Sequence, residues 1–248
     1  MQCRRGLCST QTTRGLPVFV HSFTPRNERI AVITLKIVGG LLTIIAVYLP
    51  YESTEQGNAD ARADAYADLE EVILEAARHG PFVVVGDFNT SVRYRREEER
   101  DVIGPYMYSP LPAALQTVAD GAPAPITEPT PSNRTLLSEM CVRTQTVIAQ
   151  TFLQKSQMQK VTSYAKGSLE PSAAPLDYSK HRELDHTLII ACSRSSVQDV
   201  RSRQTLQIGR TTHYIQEVHL RVPMFRRRPR PAPRGFPRAV GSTSARIG

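Results

Sequence analysis

The sequence predicts an α/β fold with a helix packed across a sheet, on three observations. The run LLTIIAVYLP at 41–50 is largely apolar on both faces, residues 60–79 place apolar side chains at helical spacing, and FVVVG at 82–86 returns to a continuous apolar strand. Strand, helix and strand in that order lay the helix across a shared sheet. A chain of 248 residues with 40% hydrophobic content has material for one such domain, or for two small ones.

The elements follow in order. Residues 16–21, LPVFVH, read as a strand. IAVITLKIV at 30–38 alternates imperfectly and runs into Gly39-Gly40, a hairpin signal. LLTIIAVYLP is then expected to be a central strand covered on both sides, ended by Pro50. From Asp60 to His79, Ala65, Leu69, Val72, Ile73 and Ala76 form one stripe; Asp60 and Asp64 suit the positive end of a helix, and Gly80-Pro81 stops it. The stretch 91–106 is charged and expected at the surface, and 107–131, with six prolines, reads as a long loop. Asn133 to Val147 reads as a helix with Leu136, Leu137, Met140 and Cys141 inward. VTSYA (161–165), ELDHTLII (183–190), SSVQDV (195–200) and YIQEVHLRV (214–222) read as short strands, and no internal repeat is visible.

Composition narrows the functional classes. No apolar run approaches the about 18 residues of a membrane helix, so no membrane partner is expected. Residues 1–10, MQCRRGLCST, hold no hydrophobic stretch of the kind a secretory signal needs. Cys3, Cys8, Cys141 and Cys192 are scattered without metal spacing, which fits a reduced, intracellular setting, the nucleus being one candidate compartment. The net charge of +8 invites a DNA or RNA partner, but it is unevenly placed: seven arginines and no acid follow Val222, leaving 24 basic and 23 acidic residues before it. Residues 223–248, rich in Pro, Gly and Arg, are expected to be a disordered tail. It either makes loose, nonspecific, salt-dependent phosphate contacts or is simply solvated.

Polar residues at strand ends carry the candidate chemistry. In VVVGDFNTS, Asp87 and Asn89 stand just past an apolar strand, where open α/β sheets place their ligand loops. Gly86 permits a sharp turn or a close approach. Asp87 can hold or polarise a water, or share a divalent cation, and Asn89 can donate to a phosphate oxygen. An Asx turn is the plain alternative. Asp185 enters the apolar strand DHTLII with no sequence neighbour to satisfy it, and is either an edge or surface charge or a functional one. His213, in THY before IQEVHLRV, is a candidate acid, base or phosphate ligand, with Asp185 its candidate orienting partner. His21, His79, His181, His186 and His219 read as loop, cap or surface residues.

The order VYLP, GDFN, LDH and THY resembles the endonuclease/exonuclease/phosphatase family, most closely its branch related to retrotransposon endonucleases and craniofacial-development-protein-2-like sequences. GLPVFVHS, RIAVITLKI, LTIIAVYLP, VVVGDFNTSV, NRTLLSEMC, LDHTLII and HYIQEVHLRV all fall in family-like order, from about Gly15 to Val222. The resemblance implies a two-sheet α/β sandwich of the nuclease/phosphatase type over 15–222, after a non-homologous leader at 1–14. It implies hydrolysis of phosphoesters with Mg²⁺ or Mn²⁺. By the same resemblance Asp87 orients or activates the attacking water and, with Asn89, would hold the metal. Asn89 also holds the phosphate, Tyr48 contacts the scissile phosphate, and His213 stands near it, oriented by Asp185. The sequence departs from the family in three places. No Asn- and Glu-bearing strands precede GLPVFV, Thr212 stands where the family has an aspartate before the histidine, and 107–131 replaces a short stretch. The sandwich is therefore expected to be incomplete at its N-terminal side, the metal weakly held, and hydrolysis weak or lost. The alternative is a non-catalytic remnant that binds nucleic acid or protein.

Overall fold

The structure is a computed structural model, and residues 9–11, 17–37, 40–53, 55, 57–109, 117–118, 131–165, 176–204 and 211–221 are described. Its strands are β1 (Ser9–Gln11), β2 (Pro17–Pro25), β3 (Ile30–Ile37), β4 (Gly40–Tyr48), β5 (Phe82–Asp87), β6 (Arg95–Arg96), β7 (Thr117–Val118), β8 (Thr146–Ile148), β9 (Ser163–Tyr164), β10 (His181–Arg182), β11 (Asp185–Ile190), β12 (Val197–Arg203) and β13 (Ile215–Leu220). The helices are α1 (Asn58–His79) and α2 (Asn133–Thr144). One seven-stranded sheet runs β1-β2-β3-β4-β5-β11-β8, and β9–β10, β12–β13 and β6–β7 form two-stranded sheets.

β1 to β4 form an antiparallel meander, and the hairpin expected at the double glycine joins Ile37 to Gly40. β4 and β5 are parallel, with α1 as the crossover. Alternation along the strands then separates two layers. Ile45, Val47, Val84 and Leu188 meet Leu69, Val72 and Ile73 of α1 and Leu137 and Met140 of α2 in the main core. On the opposite face Ile189 and Val147 pack against Val197, Val200 and Val218 of the β12–β13 hairpin. The mixed α/β architecture of a large sheet with smaller sheets is as the sequence predicts.

Four local expectations need correction. β4 is internal, between β3 and β5, but its two faces are not equally covered: Ile45 and Val47 on the helix side are buried, while on the other face Leu42 is buried, Ile44 and Ala46 are only half-buried and Tyr48 is exposed. The β12–β13 hairpin lies over β8 and β11 and stops short of β4, leaving a cavity of about 390 Å³ between Ile44, Val83 and Val218. The charged stretch 91–106 is not merely surface, because Val92, Val102 and Ile103 are in the core and Glu99 is buried in an ion pair with Arg134. That partner lies 35 residues away, beyond the reach of local pattern. α2 ends at Thr144 rather than Val147: Gln145 turns left-handed at φ 55°, and Thr146-Val147-Ile148, all three β-branched, pair with β11. The two histidines of 161–190, His181 and His186, are buried rather than exposed, for reasons given below.

The segment 107–131 begins inside the core with Met107 and Tyr108, and Thr117–Val118 pairs with β6. The rest of that segment, most of the 1–14 leader and the 223–248 tail lie outside the described residues. Among the described residues no helix is long and apolar enough to cross a membrane.

Candidate active site

Strand register assembles the site. Tyr48 pairs with Asp87 across the parallel β4–β5 ladder, and Asp87 pairs with Asp185 across the antiparallel β5–β11 ladder. The last residues of β4 and β5 and the first of β11 thus form one transverse row at a single sheet edge. Residues opposite one another in adjacent strands bring their side chains to the same face. Gly86, at φ 144°, serves that ladder: a Cβ there would lie 2.0 Å from the Val47 carbonyl oxygen. The close approach that its lack of a side chain allows is to β4.

The loop after β5 is an Asx turn and a site at once. Asn89 N–H donates to Asp87 Oδ1 at 2.8 Å, Asn89 sits at φ 49°, and its Nδ2 donates to the Leu49 carbonyl at 2.7 Å. The turn therefore fixes the Asp87 carboxylate and ties the loop to the end of β4. On the other side, Thr162 Oγ1 accepts the N–H groups of Leu184 and Asp185 at 2.9 and 3.0 Å, anchoring the start of β11. The same segment brings in His213, through Tyr214 N–H to the Thr162 carbonyl at 2.8 Å and Tyr164 N–H to the Thr212 carbonyl at 3.1 Å.

His213 Nδ1 lies 3.0 Å from Asp185 Oδ2, and its Nε2 is 3.8 Å from Asp87 Oδ2. Asp185 orients the ring so that the far nitrogen faces Asp87 at a distance beyond a direct hydrogen bond. Tyr48 is 55% exposed at the rim. All five residues singled out by sequence, Tyr48, Asp87, Asn89, Asp185 and His213, thus belong to one edge of the sheet.

The electrostatics follow from burial. Desolvation pushes the Asp87 carboxyl up to about 6; the Asp185 charge adds to this, while the Asn89 N–H and His213 oppose it. The hydrogen bond to Asp185 holds the His213 imidazole above its ordinary value against burial, and the Asp87 charge acts in the same direction.

One contributor escaped the sequence reading. His186 is fully buried on the face of β11 opposite Asp185, with Nε2 2.8 Å from the Thr90 carbonyl and Nδ1 2.7 Å from Gln150 Nε2. Burial pushes it down to about 4, so it is neutral, donating from Nε2 to Thr90 and accepting from Gln150 at Nδ1. It pins the loop carrying Asp87 and Asn89 to β11. The period-two alternation after Asp185 was the available signal, since adjacent strand residues face opposite layers. His181 is buried too, its Nδ1 accepting from Asp177 N–H at 3.0 Å, whereas His21, His79 and His219 are exposed.

A divalent cation suits the donor set. One ligand atom each from Asp87, Asp185 and His213 lie within 4.8 Å of one another. Asp87, a desolvated carboxylate beside a second one, gains most from a neighbouring positive charge. Asn89 adds a carboxamide oxygen of the kind hard cations accept, but two carboxylates and one amide make a sparse shell for Mg²⁺.

No family model and no curated protein matches the chain. Solved structures do. A 3′ phosphatase, NExo, from Neisseria, bound to a product DNA hairpin, is 15% identical with TM-score 0.51, over 82% of this chain and 70% of that one. A structure of NExo from Neisseria meningitidis described as a 3′-5′ exonuclease is 15% identical with TM-score 0.50 over the same shares. The catalytic domain of APE2 from Xenopus laevis is 16% identical with TM-score 0.50, over 79% of this chain and 57% of that one. At these identities the likeness establishes a shared fold, that of nuclease and phosphatase structures.

Proposed function

We propose that the chain is a divalent-cation-dependent hydrolase of nucleic-acid phosphoesters, of endonuclease type, whose intrinsic activity is weak. The observation that supports it is the Asp185–His213–Asp87 arrangement at the edge of a nuclease-like sheet. Asp87 is the carboxylate that aligns a water for in-line attack, its raised affinity for protons making it a competent base near neutral pH. His213, held by Asp185 through Nδ1, presents Nε2 to a nonbridging or leaving oxygen. Tyr48 at the rim and Asn89 in the turn supply further donors to the phosphate. Mg²⁺ or Mn²⁺ held by Asp87 and Asn89, with Asp185 nearby, would neutralise charge on the phosphoryl oxygens. Weakness follows from the sparse carboxylate set, with Thr212 standing where the family that the sequence resembles has an aspartate.

The test is plasmid nicking with Mg²⁺ or Mn²⁺ by the full chain, beside His213→Ala and Asp87→Ala. Slow nicking lost in both variants is expected. Nicking indifferent to both would remove the site. A second reading, a non-catalytic nucleic-acid or protein-binding fragment, is favoured by Thr212 and predicts no metal-dependent nicking at all.

A further inference from the structure

Beside Asn89 lies a cleft of about 730 Å³ whose lining includes Tyr51, Arg93, Tyr94 and Arg182 but not His213. We propose that it binds the unpaired nucleotides of a single nucleic-acid strand leading away from the reacting phosphate, with Arg93 and Arg182 on phosphates and the Tyr51 ring under a base. The proposal rests on the phosphoester reading of the neighbouring site and names its substrate as single-stranded.

Continuity supports this first. Asn89 and Leu184 line the cleft, and each is within two residues of a carboxylate in the catalytic row, so a strand crossing that row passes directly into it. Charge supports it second. Of the three arginines in the lining, Arg134 is already neutralised: it is buried, paired to Glu99, and bonded to the Tyr94 carbonyl at 3.0 Å. Arg93 donates to the Tyr178 carbonyl at 3.0 Å, which orients it without neutralising it. Neither Arg93 nor Arg182 forms an ion pair among the described residues. The carboxylate in the lining, Glu52, is already engaged by the Asn133 N–H at the start of α2 and by Arg62 at 3.8 Å. The uncompensated charge at the rim is therefore positive.

The aromatic groups decide between single and double strands. Tyr94 carries the Arg134 guanidinium on its ring at 4.1 Å, but Tyr51 is 57% exposed. An open ring can receive a base only if that base is unstacked, which a duplex does not offer and a single strand does. The volume suits one or two nucleotides, within the range of about 300–1,000 Å³ for small-ligand sites.

The experiment is fluorescence anisotropy of the full chain, without metal, against a labelled short oligothymidylate and an abasic oligomer of equal length. Tyr51→Ala is expected to weaken oligothymidylate binding about tenfold, and Tyr51→Phe to retain it. Arg182→Ala is expected to lower the salt slope by about 0.7 for the one phosphate lost. The abasic oligomer is expected to bind more weakly and to ignore Tyr51→Ala. Any arginine contacts from 223–248 are common to every variant and cancel in the comparison. Equal affinity for both oligomers, or indifference to both Tyr51→Ala and Arg182→Ala, overturns the proposal. Plasmid nicking and cleavage of a single-stranded oligonucleotide, each with Mg²⁺, scored in parallel separate the two readings. Cleft-dependent binding by a chain that cuts neither supports the cleft and removes the hydrolase; site-dependent cutting with cleft-independent binding does the reverse.

Discussion

Asp87 meets opposed demands: burial and the Asp185 charge disfavour its ionised form, yet the role proposed for it, on a water or a cation, needs that form. The consequence for stability has a definite sign. Its folded value, about 6, lies above the ordinary 3.8, so the stabilising contribution is full below about pH 4 and is lost as pH rises through 6. Asp87→Asn keeps an oxygen for the Asn89 N–H and removes the charge. It is expected to raise the melting temperature above pH 7 by about 2–4 °C per kcal/mol relieved, with the gap closing toward pH 4 in a thermal-melt series. Millimolar Mg²⁺ should stabilise the parent chain in the same assay and leave Asp87→Asn unmoved. His213 offers a separate check by NMR titration: its imidazole should titrate above the usual histidine range, and Asp185→Asn should bring it down. The identities of these residues were legible in the sequence as polar groups at strand ends. The 3.0 Å contact between His213 and Asp185, 28 residues apart, was not, because only the fold brings those segments together.

At the scale of elements, one row of cross-strand neighbours displays how the second layer ends. Phe23, Ile33, Ile44, Val83, Ile189 and Val147 are paired in succession from β2 to β8 and so share a face. Exposure falls along it from 61% at Phe23 to 1% at Val147, because the β12–β13 hairpin covers only the far end. Ile189→Ala should therefore cost about 2–5 kcal/mol in urea denaturation. Phe23→Ser should change stability by less than about 0.5 kcal/mol while reducing the binding of a hydrophobic dye. The buried Glu99–Arg134 pair makes a different prediction, in that Glu99→Ala strands a guanidinium and should cost about 3–5 kcal/mol by the same measurement. Strands and helices were largely readable, since periodicity reports which face of an element is apolar. Coverage was not: β4 is apolar on both faces, but pattern does not say whether a second layer reaches it.

Across the whole molecule the charge is divided between a nearly neutral body and seven arginines after Val222. A 1–222 truncation is expected to weaken duplex DNA binding at low salt and to flatten its salt dependence. It should leave the response of oligothymidylate binding to Tyr51→Ala intact, as the stacking site lies within the body. Equal and salt-insensitive duplex affinities for the two lengths would exclude an electrostatic role for 223–248.

The sequence by itself determined the strand–helix–strand layout, the stripe of α1, the glycine hairpin and the polar residues at strand ends. Each is written in spacings short enough for a single element to express. Tertiary structure alone decided that Tyr48, Asp87 and Asp185 fall in one row, that His186 turns inward to hold the loop after β5, and that Glu99 leaves the surface for Arg134. It also decided that the hairpin layer stops before β4 and that Tyr51 and Arg182 meet around one cleft. Those outcomes depend on register and on which distant segments meet, and burial acts through such contacts to set the charge state of Asp87.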